Sequence, residues 1–136
     1  MTFALALKLY AVAAVAFLVI DLVWLGVVAN GLYRRLMGDL LRDSPNVLAA
    51  GVFYAVFVAG LVSFAIWPAI DGGSVGDALL RGALFGFVTY ATYDLTNLAV
   101  LRGYPTSIAL VDLAWGTVLG AAVTSATWLV HDRWLA

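Results

Sequence analysis

Apolar residues along this 136-residue chain fall into four long runs, and the short segments between them collect most of the charge, glycine and proline. About 20 helical residues cross a hydrocarbon core of roughly 30 Å, and each run reaches that length. The pattern predicts helix 1 over about residues 8–29, helix 2 over 45–70, helix 3 over 77–101 and helix 4 over 106–130. Ser44-Pro45 reads as an N-cap followed by proline at the first helical position. Asp71 to Gly76 reads as a turn, and Arg102-Gly103-Tyr104-Pro105 as a helix stop tight enough to make helices 3 and 4 an antiparallel hairpin. Trp67, Trp128 and Trp134 fall near span ends, where an aromatic belt belongs.

The connection from Gly31 to Asp43 has a different pattern. Leu32, Tyr33, Leu36, Met37, Leu40 and Leu41 share one helical stripe, and Arg34, Arg35, Asp39, Arg42 and Asp43 lie off it. That predicts a short amphipathic interfacial helix after helix 1, either a membrane-anchored connector or a lid over one end of the bundle.

Composition turns these runs into membrane spans. Apolar residues make up 65% of the chain, mean hydropathy is +1.04, and 11% of residues are charged, with no glutamate and Lys8 as the one lysine. Such a chain cannot clothe a soluble fold in polar groups. The fold class expected is an all-α, integral membrane four-helix bundle forming one domain over 1–136. The first run is too long for a signal peptide and carries Asp21, so it reads as a retained span. A net charge of −1 offers no field for nucleic acid, and the absence of cysteine removes disulfides and thiolate metal sites.

Three carboxylates then stand out. Asp21, Asp94 and Asp112 lie inside predicted spans, where an ionisable side chain is costly and marks a candidate site. Chain direction puts all three on one side of the midplane, roughly 9–12 Å below the surface that carries the amphipathic connection. Gly82, Gly86, Tyr90 and Asp94 recur every fourth residue, as do Asp112, Gly116, Gly120 and Thr124. Small residues at this spacing let membrane helices pack closely. Facing the two stripes sets Tyr90 against Gly116, Gly86 against Gly120, and Asp94 against Asp112, a pair that would share a proton. Asn97 continues the first stripe, and Tyr93 and Thr96 flank it. Asp21-Leu22-Val23-Trp24 echoes Asp112-Leu113-Ala114-Trp115, which sets an indole beside each acid. Tyr54 is a candidate to reach the interior from helix 2. The candidate ligand-binding or proton-site residues are therefore Asp21, Trp24, Tyr90, Tyr93, Asp94, Asn97, Asp112 and Trp115, with Gly82, Gly86, Gly116 and Gly120 for packing. His131 is the one histidine, at the end of helix 4. No metal ligand set, cofactor motif or catalytic nucleophile is expected.

The segments Ile20 to Gly26, Asn46 to Ala50 with Phe53-Tyr54, Tyr90 to Ala99 and Val111 to Thr117 resemble a bacterial membrane protein family, domain of unknown function 2177. The resemblance covers nearly the whole chain. It implies a small, multi-pass protein of the bacterial inner membrane and carries no activity with it.

The expected function is binding or transport of a cation, proton or amphipathic ligand at the aspartate, tryptophan and tyrosine cluster, with cation–π faces from Trp24 and Trp115. The alternatives are a lipid-modifying enzyme or subunit using the aspartates as acid and base, and a structural partner subunit. Expected partners are the bilayer, a lipid or cationic amphiphile, and a second copy in a homo-oligomer. Arg34, Arg35, Arg42 and Arg102 on one side outnumber Lys8, Arg81 and Arg133 on the other, which places the lid side in the cytoplasm.

Overall fold

A computed structural model describes all residues, 1–136, and it is almost wholly helical with no strand. Helix α1 (Phe3–Trp24) starts earlier than the hydropathy pattern predicts, because the Thr2 side chain caps it by accepting from the Leu5 N–H at 3.2 Å. It passes through a π-helical turn, Leu25–Ala29, directly into α2 (Asn30–Met37). The amphipathic helix is thus continuous with helix 1 and is not a separate element. Together with a 3-10 turn, Gly38–Leu40, the helical run from Phe3 to Leu40 has 38 residues. At 1.5 Å per residue it is roughly 57 Å long, far more than the hydrocarbon core needs. Gly38, at φ 52°, ends α2 by adopting backbone angles that other residues avoid.

Helix α3 (Val47–Leu61) is capped by Asn46, whose Oδ1 accepts from the Ala49 N–H at 3.0 Å. This corrects the expected cap at Ser44. Asn46 does the same work, and Pro45 stays outside the helix. A second π turn, Val62–Ile66, leads into α4 (Trp67–Ile70). Pro68 explains it: proline donates no N–H and crowds the carbonyl four residues back, and a widened turn relieves both problems. Helices α5 (Val75–Val100) and α6 (Thr106–Val130) form the antiparallel hairpin, with Gly103 at φ 73° in the connection.

Phe17, Leu9 and Ala13 of α1, Phe57, Val58 and Leu61 of α3, and Leu119 and Val123 of α6 make the main core with the second π turn. Helix α5 adds little apolar volume to it and docks on α6 through glycines. A Cβ on Gly86 would overlap the Gly116 carbonyl, and one on Gly120 would overlap the Gly82 carbonyl. Tyr104, Ile108 and Ala109 form a second, smaller cluster against which Tyr33, Leu36, Met37 and Leu98 pack. The apolar face of α2 therefore covers one end of the bundle.

Only 26 of 136 residues are buried, and Val27, Leu48, Phe64, Leu84 and Val100 project outward. An apolar exterior of this extent fits lipid and not water. Three helical stretches, Phe3–Leu40, Val47–Ile70 and Thr106–Leu135, are long and apolar enough to cross a membrane. The sequence pattern predicts four spans, and α5 is not among the three that are long and apolar enough to cross a membrane. It is 26 residues long, but Arg81, Asp94, Asn97, three threonines and two tyrosines lower its apolar character.

Its start is built by reciprocal bonds. The Ser74 hydroxyl accepts from the Asp77 N–H at 3.3 Å, and Asp77 Oδ2 accepts from the Ser74 N–H at 2.8 Å. Ser74→Ala should lower stability by about 1 kcal/mol, and Ser74→Asp should retain it, because either oxygen can cap the helix. Thermal unfolding in one detergent would read both; equal losses in the two variants would mean that the cap contributes nothing.

Candidate functional site

Asp21, Asp94 and Asp112 are all buried: Asp94 is 0% exposed and Asp21 and Asp112 are each 7% exposed. An aspartate in an apolar setting needs donors. In each case the main donor is a tyrosine from another part of the chain.

Asp21 is the best satisfied. Its Oδ2 accepts from the Tyr54 hydroxyl of α3 at 2.8 Å, and its Oδ1 from the Trp115 indole N–H of α6 at 3.3 Å. One carboxylate thus ties α1, α3 and α6 together. Trp115 does not turn to Asp112 on its own helix, as the sequence echo suggested. Trp24 lies flat on Trp115, with ring centroids 4.3 Å apart and planes 7° from parallel. Each indole therefore spends one face on the other, so the two are not a pair of open cation–π platforms.

Asp94 accepts from the Tyr104 hydroxyl at 2.6 Å, and its second oxygen has no partner. Tyr104 stands in the connection before α6. Burial pushes its hydroxyl well above the usual tyrosine pKa, and the bond to Asp94 pushes it further, so it remains a donor. Asn97 sits beside this pair, half-buried.

Asp112 accepts from the Tyr33 hydroxyl of α2, which pins the lid to α6 through Oδ1. Its other oxygen receives no protein donor. Asp112 also lines a cavity of about 320 Å³ with Phe53 of α3 and Thr89, Tyr90 and Tyr93 of α5. Thr89 spends its hydroxyl on its own helix, donating to the Phe85 carbonyl at 2.8 Å. Tyr90 stands against Gly116, the contact that removes room for any side chain there, and its ring also packs edge-on to Phe57. Its hydroxyl takes no partner within the protein.

The facing stripes led to a proton shared between Asp94 and Asp112. No hydrogen bond joins them, and each accepts instead from a tyrosine of a different element. Nor do the acids gather into a set of three or more that could hold a metal ion. Tyr33 and Tyr104 are the residues that the sequence reading missed. In the sequence Tyr33 falls on an apolar stripe and Tyr104 in a turn. The signal available was that each buried acid required a donor, and that a tyrosine on a neighbouring element lay at the same level.

The sequence model of the predicted membrane protein family DUF2177 matches residues 6–129, and the chain belongs to that family. No curated protein and no solved structure matches it. Family and fold agree on a multi-pass membrane protein.

Proposed function

We propose that this protein binds an amphipathic molecule from within the bilayer, with the ligand's polar end on Asp112. The observation that carries the reading is a cavity walled by Phe53, Tyr90 and Tyr93 and lined by Asp112, whose carboxylate has one oxygen with no protein donor. Its volume of about 320 Å³ suits a head group and a few carbons, with the remaining chain running out into lipid. The free oxygen accepts and does not donate, so it favours an ammonium or another hydrogen-bond donor. Asp21 and Asp94 serve as interhelical ties in this account, since Asp21 already has two donors and Asp94 is sealed from the cavity.

The same reading takes α5 as a fourth span. Its threonines return their hydroxyls to the helix backbone, Thr92 to the Val88 carbonyl at 2.7 Å among them, which lowers their cost in lipid. It places the chain in a bacterial inner membrane with α2 on the cytoplasmic side. A second copy would be needed before binding could become transport.

Titration of decylamine into protein in nanodiscs tests the site. Asp112→Asn should weaken binding about tenfold, the equivalent of roughly 1.4 kcal/mol. Asp21→Asn should lower the melting temperature and leave affinity within twofold. Equal affinity of wild type and Asp112→Asn would overturn the proposal, as would wild type binding methyl decanoate, which has no donor, as tightly as decylamine.

A further inference from the structure

A second hollow, of about 240 Å³, lies on the connector and is lined by Arg34, Gly38, Leu41, Arg42 and Asp43. The chain builds it by reversing direction. Arg34 and Gly38 are one turn apart on the face of α2 that points away from the core. Gly38 then turns the backbone at φ 52°, and Leu41 continues it in extended form at φ −79°, ψ 137°. Arg42 is thereby returned to Arg34. A Cβ on Gly38 would meet nothing within 4 Å, so the hollow is open there.

Two guanidinium groups line this hollow with one carboxylate, and all three residues are exposed. Neither arginine donates to a protein side chain, and Asp43 accepts from none. The opposite face of α2 packs on Tyr104, Ile108 and Ala109 at the end of the bundle. The hollow therefore lies at the end of the bundle, which this reading sets at the level of lipid head groups, with Leu41 on its wall.

We propose that this hollow binds a zwitterionic phosphoethanolamine head group. Arg34 and Arg42 take the phosphate, since planar guanidinium forks match its oxygens. Asp43 takes the primary ammonium. A phosphate site alone would leave the carboxylate as a repulsive wall group, whereas a head group with both charges uses all three residues. A bulky quaternary amine lacks the N–H donors that Asp43 would accept.

The site is tested by native mass spectrometry of the full chain released from mixed nanodiscs of phosphatidylethanolamine, phosphatidylglycerol and phosphatidylcholine. Wild type should retain phosphatidylethanolamine at least fivefold over the other two. Arg34→Gln with Arg42→Gln should abolish retention of both phosphatidylethanolamine and phosphatidylglycerol. Asp43→Asn should keep phosphatidylglycerol and lose the preference for phosphatidylethanolamine. These side chains are exposed, so unchanged helicity by circular dichroism serves as the folding control. Equal retention of all lipids by wild type overturns the site. A preference for phosphatidylglycerol overturns the role of Asp43. Displacement by soluble phosphoethanolamine at equal concentration overturns a lipid source in favour of a free metabolite.

Discussion

Gly86→Leu should leave the chain unable to assemble α5 on α6. Even the first carbon of a side chain at Gly86 collides with the Gly116 carbonyl, and that carbonyl belongs to a helix backbone that cannot rotate away. Gly82 faces the Gly120 carbonyl in the same way, so the two helices are interlocked at two levels. Overpacking a core by a few atoms typically costs about 1–3 kcal/mol. Here the whole helix must move, which puts Gly86→Ala near about 3 kcal/mol and Gly86→Leu beyond what a small domain can lose. Gly51 is the control, because its Cβ would meet nothing within 4 Å. Gly51→Ala should be neutral or slightly stabilising in the same helix-forming setting. Thermal unfolding and monodispersity in a mild detergent would measure all three. Gly86→Ala melting with wild type would show that α5 and α6 are not held this closely.

The second large effect is expected at Tyr104. Tyr104→Phe removes the one donor to Asp94 and leaves a fully buried carboxyl group with no partner on either oxygen. An orphaned buried group of this kind costs about 1–3 kcal/mol. Asp94→Leu should cost a similar amount by orphaning the tyrosine hydroxyl. The double variant should be less harmful than the sum of the two by about 1 kcal/mol or more, because removing both partners leaves nothing unsatisfied. Strict additivity would show that the two side chains do not depend on each other. Alkaline pH gives an independent check. The Tyr104 pKa is raised on folding, so its contribution is complete below the unfolded tyrosine value of about 10 and declines as pH rises beyond it. Tyr104→Phe should lose that part of the alkaline decline.

Much of this arrangement is legible in the residues. The last span, Thr106–Val130, has the predicted bounds, because proline before it and polar residues after it mark the ends sharply. The burial of Asp21, Asp94 and Asp112 follows from their places inside apolar runs. The four-residue spacing of Gly82, Gly86, Gly116 and Gly120 gives the face on which α5 and α6 meet. What a single helix cannot reveal is how its neighbours are rotated. Trp115 points to Asp21 across the bundle and not to Asp112 one turn back, and only the packing of α1 on α6 decides that. Tyr33 and Tyr104 reach their acids from elements whose direction depends on a π turn and on the Gly103 turn, neither of which hydropathy reports. The polarity of α5 was visible throughout. Its consequence was obscured because Thr89, Thr92 and Thr96 conceal their hydroxyls in their own backbone.

The π turn at Leu25–Ala29 acts as a phase shifter. One residue added to an α-helix advances everything after it by about 100° around the axis. Upstream of the turn, α1 keeps Leu9, Ala13, Phe17 and Asp21 inward at strict four-residue intervals. Continued unbroken, that frame would carry its inward positions on through Leu25, Ala29, Tyr33 and Met37 while drifting steadily around the helix. The wide turn resets the drift, so that Tyr33 faces Asp112 and Arg34 faces outward. The chain therefore keeps one four-residue register facing inward along the whole rod. A single-residue insertion or deletion anywhere from Leu25 to Gly31 would leave the membrane span intact and misalign the lid alone.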